Sequence, residues 1–174
     1  MLSPIGRSAW CYAVSVCCRP HLELQADEDG FDLAPLNKLV SKLGNYLNGE
    51  LKSHSNLERF FNEFIESRDQ YELSDSLNGR ISELAFSAIT GAFDALNDDE
   101  CDDTDLISAS LNDLFDELDE LGGESAPLRA YWQELDQEWK AALASTKQRP
   151  IARDIMKSIT ETDVCLLYTS DAAD

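Results

Sequence analysis

Hydrophobic residues recur along this chain at helical spacing for most of its length. After Asp32, the residues Leu36, Leu39, Val40, Leu43 and Leu47 fall at i, i+3, i+4, i+7 and i+11, a stripe on one face of a 3.6-residue repeat. Gly49 lies where that helix would stop. Asn56 can cap a second helix that turns Leu57, Phe60, Phe61, Phe64 and Ile65 inward. A polar linker runs from Ser67 to Ser74, and Ser74 or Asp75 opens a third helix carrying Leu77, Ile81, Leu84, Ala88, Ile89, Ala92, Phe93 and Leu96. Gly91 sits inside it at a cost of about 1 kcal/mol relative to Ala. A fourth helix follows the polar break from Asn97 to Asp103, with Leu106, Ile107, Leu111, Leu114, Phe115, Leu118 and Leu121 on one side and Gly122 and Gly123 at its end. Ser125 and Pro127 start a fifth, whose apolar face is Leu128, Trp132, Leu135, Trp139 and Leu143. Pro150 starts a sixth, with Ile151 and Ile155 one turn apart. No internal repeat interrupts the pattern. The expected fold is all-α, a single-domain antiparallel bundle of about five to six helices with short connections.

The two ends break this pattern. Residues 1–22 hold no Asp or Glu and include Cys11, Cys17 and Cys18. Three readings of this segment compete. Arg7 followed by a short apolar run resembles a secretory signal, though no A-x-A site follows. Trp10, Tyr12, Val14 and Val16 alternate with smaller residues, as in a strand. The third reading is upstream DNA translated in frame, in which case a chain starting at Glu23 should keep its full helical signal. At the other end, one back-translation of Cys165 to Asp174 resembles the transposon-end adapter used in preparing sequencing libraries. That resemblance implies a non-native tail over 165–174, a metagenomic reading frame and an acidic helical domain over 23–164 whose natural continuation is cut off.

Charge changes the picture more than composition does. The chain of 174 residues carries a formal charge of -20, two units of it from Asp171 and Asp174 in the tail. Such a chain repels nucleic acid and anionic membrane surfaces, and no apolar run is long enough to span a bilayer. A basic protein surface is the expected partner. The few cysteines form no C-x-x-C and no zinc-site spacing with His21 or His54, so the expected compartment is reducing and cytoplasmic.

The acidity is local. Thirteen carboxylates lie between Asp94 and Glu124 with no Lys or Arg among them, whereas residues 125–164 balance to zero. A salt-adapted proteome would raise acidity everywhere, so the asymmetry points to this segment. Asp103 and Asp105 meet the positive end of the helix dipole, which is ordinary. Asp113, Asp116, Glu117 and Glu120 share one face, and their i, i+4 like-charge pairs each cost roughly 0.2–0.5 kcal/mol. With Asp98, Asp99, Glu100 and Asp102 of the preceding loop they form the candidate binding ridge.

Other chemistry finds little footing. Asp27, Asp29 and Gly30 fit the middle of a calcium loop, but Gln25 and Leu36 occupy its ends. Glu50 and His54 stand at i, i+4 rather than the i, i+3 of a di-iron bundle. No cofactor and no metal ligand set is expected. Trp132 and Trp139 are read as core, with their N–H groups near the rim. The functional expectation is a protein-binding module acting through residues 94–124. The alternatives are a nucleic-acid mimic that occupies the site of a DNA- or RNA-binding protein, and a helical enzyme using His54 or buried carboxylates.

Overall fold

The computed structural model describes residues 1–161 and is all-helical, with eight helices among those residues. They are α1 (Pro4–Cys17), α2 (Arg19–Asp29), α3 (Ala34–Leu47), α4 (His54–Arg68), α5 (Leu77–Asn97), α6 (Thr104–Glu120), α7 (Ala126–Leu143) and α8 (Arg153–Thr160). The adapter-like segment Cys165–Asp174 lies outside the described residues.

Helices α3 to α7 begin and end close to where the hydrophobic stripes place them. Their starts differ by local hydrogen bonding. Ser53, not Asn56, caps α4, its Oγ accepting the Asn56 N–H at 3.2 Å. Ser76 caps α5 by accepting the Gly79 N–H at 3.0 Å. The last helix begins at Arg153 rather than Pro150, because the Ile151 N–H donates to the Leu47 carbonyl at 2.9 Å and Ile151 is buried.

The first 22 residues overturn the strand reading: residues Pro4–Cys17 form a helix, and most of it is buried. Ser3 caps α1, accepting the Gly6 N–H at 3.1 Å, with Pro4 in the first turn. Ala9, Trp10, Cys11, Ala13 and Val14 are all buried, and Ser8 is buried with its hydroxyl donating to the Ala92 carbonyl at 2.7 Å. A helix buried nearly all round shows no amphipathic stripe. The small residues between Trp10, Tyr12, Val14 and Val16 are therefore further packing faces of a helix, where a strand would have turned them to the opposite side of a sheet. The same burial explains why the segment lacks carboxylates, since most of its positions are closed to water.

Helix α1 is the hub. It packs most extensively on α5 and also meets α3, α7 and α8. Consecutive helices still pack on one another, with α4 laid on α3 and α6 between α5 and α7, but the simple bundle order is broken by α1 and α2, which both pack on α5 far along the chain. Gly91 earns its place here: a side chain at that position would stand 3.2 Å from an Asp103 oxygen and 3.5 Å from the Cys11 sulfur. Glycine lets the α5 backbone approach both α1 and the start of α6.

Candidate functional site

The acidic ridge sits on α6 and the loop that precedes it. Helix α6 turns Ile107, Leu111, Leu114, Phe115 and Leu118 into the core. Its outer face carries the carboxylates, and the structure divides them into three groups.

The first group is neutralised from elsewhere in the fold. Arg80 of α5 grips Glu117 with two donors, Nε to Oε2 at 2.6 Å and Nη2 to Oε1, while its Nη1 reaches Asp75 at 2.6 Å. Arg129 of α7 donates to Asp116 at 2.5 Å and lies 3.6 Å from Asp119. The expectation of four mutually repelling, unpartnered carboxylates is corrected on this point: two of the four have arginines brought to them by tertiary packing. The Arg129 guanidinium also covers apolar surface, lying over the Phe115 ring at 5.3 Å.

The second group shapes the loop. Asp98 accepts the Glu100 N–H at 2.9 Å, and Asp102 accepts both the N–H and the hydroxyl of Thr104, at 3.1 and 2.6 Å. Burial alone would raise the Asp102 carboxyl. The two Thr104 hydrogen bonds, with the fields of Arg7 and Lys140, outweigh it and hold the group below its ordinary range. The loop is tied to α1 as well, where Arg7 donates to the Asp99 carbonyl.

The third group is free. Asp99, Glu100, Asp113 and Glu120 are exposed and form no ion pair among the described residues. Beside them stand two leucines assigned to the apolar face from sequence, Leu106 at 66 % and Leu121 at 68 % exposure. The stripe through Ile107, Leu111, Leu114 and Leu118 leaves both off its centre, a signal present in the sequence and overridden there by their hydrophobicity.

The field of this cluster registers on Cys101. Partial burial, then Asp98, Asp94 and Asp103, raise its thiol above the ordinary value. Iodoacetamide is therefore expected to alkylate Cys101 more slowly than a free model thiol at neutral pH. Asp98→Asn should speed the reaction; equal rates in the two proteins would show that the carboxylates do not act on the sulfur.

Splitting the ridge reverses the sign expected for some substitutions. Glu117→Gln should destabilise the protein by roughly 1 kcal/mol, because it weakens a two-point, half-buried contact with Arg80. Glu120→Lys should be neutral or stabilising by a few tenths of a kcal/mol, since it removes like-charge repulsion and no ion pair. Urea unfolding of the two variants checks the order, and a larger loss at Glu120 would contradict it.

His54, the residue named for catalysis, is the first residue of α4 and sits in an aromatic cluster, 6.0 Å from the Tyr46 ring and stacked 5.7 Å from Phe93. No hydrogen bond links it to Glu58, which is exposed. Trp132 and Trp139 are core residues in edge contact at 5.8 Å, and the Trp139 N–H is buried without a partner, not at the rim. Among the described residues no group of three His, Cys, Asp or Glu side chains is arranged to hold a metal ion, and no helix is long and apolar enough to cross a membrane.

Fold and site together define an all-α protein with an acidic outer helix. No protein-family model, curated protein or solved structure matches the chain.

Proposed function

We propose that the protein is a binding module whose outer α6 face, with the loop over 98–103, meets a basic surface on another protein. The observation that supports this reading is the pairing of two features on one helix. Exposed carboxylates without counter-charges, Asp113 and Glu120 with Asp99 and Glu100 alongside, are flanked by two of the chain's few exposed large hydrophobic residues, Leu106 and Leu121. A merely solvating face needs the charges but not the leucines. An interface uses both, because apolar anchors supply affinity while charges steer encounter and set orientation.

The neutralised carboxylates fit the same reading. Arg80 and Arg129 hold Glu117 and Asp116 in fixed positions, so the free groups are presented on a rigid helix. The test compares capture of basic proteins by the wild-type chain, by a charge variant (Asp113→Asn with Glu120→Gln) and by an apolar variant (Leu106→Ala with Leu121→Ala). Both variants should lose the same partner, and the wild-type complex should weaken as salt rises toward molar, where screening reaches only about 3 Å. Polylysine serves as a control, since it should respond to the charge variant alone. If the leucine variant keeps every partner, the face is a solvated surface and the reading fails.

A further inference from the structure

A second feature lies apart from the outer face of α6. Arg7 of α1 is only 6 % exposed. Its Nη1 donates to the Leu2 carbonyl at 3.3 Å and its Nη2 to the Asp99 carbonyl, but its Nε is buried without a partner. No carboxylate comes within ion-pair distance of it among the described residues, in a chain with 34 of them. Asp102 acts on Arg7 only at longer range, and two neutral carbonyls compensate a buried guanidinium only in part. Arg7 lines a half-enclosed cavity of about 340 Å³. Lys140, which pairs with Asp136 at 3.1 Å, stands in the same wall, Asp102 and Asp105 contribute opposite charge, and Leu2 and Ala144 supply apolar surface.

We propose that this cavity binds a small zwitterion of the α-amino-acid class. The ligand carboxylate would supply the direct ionic contact that Arg7 lacks, with Lys140 as second cation, and its ammonium would meet Asp102 and Asp105. The mixed lining selects for this class. A simple anion would be drawn to Arg7 and Lys140 but repelled by two carboxylates, and a simple cation would meet the converse. A molecule carrying both charges on neighbouring atoms satisfies both sets. The volume lies at the small end of the range for ligand sites and suits a molecule of amino-acid size. Asp102 and Asp105 border the proposed interface, but Asp113 and Glu120 line no part of the cavity, so substitutions at those two positions separate the inference from the α6 reading.

The experiment uses the full chain. Each of the twenty α-amino acids, with acetate and methylammonium as single-charge probes, is tested at millimolar concentration by thermal shift and calorimetry. At least one amino acid should raise the melting temperature and give a one-to-one isotherm that neither single-charge probe reproduces. Lys140→Gln and Asp105→Asn, both at partly exposed positions outside the core, should each weaken binding by about tenfold. Glu120→Gln should leave it unchanged. Circular dichroism confirms that the variants fold. The proposal is overturned if no amino acid binds, if acetate binds as tightly as the best amino acid, or if binding survives both cavity substitutions undiminished.

Discussion

Trp10→Ala is expected to destabilise the protein by about 3–5 kcal/mol, a large share of the stability of an ordinary domain. Trp10 has no exposed surface and lies in the middle of α1, the helix that six others contact. Its ring meets Trp132 edge-on at 5.7 Å, and its N–H donates to Asp136 at 2.9 Å. Alanine would leave a cavity between α1 and α7 and would remove a hydrogen bond to a largely buried carboxylate. Trp10→Phe separates the two effects: it fills most of the volume, loses the hydrogen bond and should cost about 1–2 kcal/mol. Removing residues 1–22 deletes the hub altogether, so a chain starting at Glu23 should lose its cooperative unfolding transition. A truncated chain that unfolds with the same midpoint and slope as the full chain would contradict this description of the core.

Asn78→Leu should cost about 2–3 kcal/mol, although Asn78 lies near the first turn of α5 and is partly exposed. Its amide is the centre of a polar chain joining α2 to α5. Nδ2 donates to the His21 carbonyl at 3.3 Å and to Gln25 Oε1 at 3.0 Å, leaving Oδ1 to accept from His21 Nδ1 at 2.8 Å. The chain continues outward: Gln25 donates to Asp29, which accepts the Ser74 N–H at 2.9 Å and the Ser74 hydroxyl. These hydrogen bonds hold the Asp29 carboxyl below its ordinary value. His21 and Gln25 have no exposed surface, so removing the amide strands polar groups that water cannot reach. Asn78→Asp keeps an acceptor for His21 and should recover part of the loss. Urea denaturation of both variants measures the difference, and a cost below about 0.5 kcal/mol for Asn78→Leu would mean that the chain of hydrogen bonds is ornamental.

The two arginines at the acidic ridge show how far charge can be read along a sequence. The like-charge spacing of Asp113, Asp116, Glu117 and Glu120 is visible, and so is the absence of any basic residue between Asp94 and Glu124. Repulsion between neighbours on one helix is a local property. Relief of that repulsion is not, because Arg80 lies 37 residues before Glu117 and Arg129 lies 13 residues after Asp116. Only the packing of α5 and α7 on either side of α6 decides which carboxylates are neutralised and which are not.

The sequence by itself determined that the chain is helical and where α3 to α7 lie, since a period of 3.6 and local caps and breaks are written in adjacent residues. It also placed the acidity on one helix and one loop. The tertiary structure decided what a stripe cannot report. A helix buried on every side, such as α1, has no polar face to mark its period, and its small residues resemble strand alternation until their neighbours are known. The buried guanidinium of Arg7, the glycine at position 91 and the separation of paired from unpaired carboxylates likewise arise from contacts between segments far apart in the chain. Each arises from which surfaces meet, and that is fixed by packing around α1.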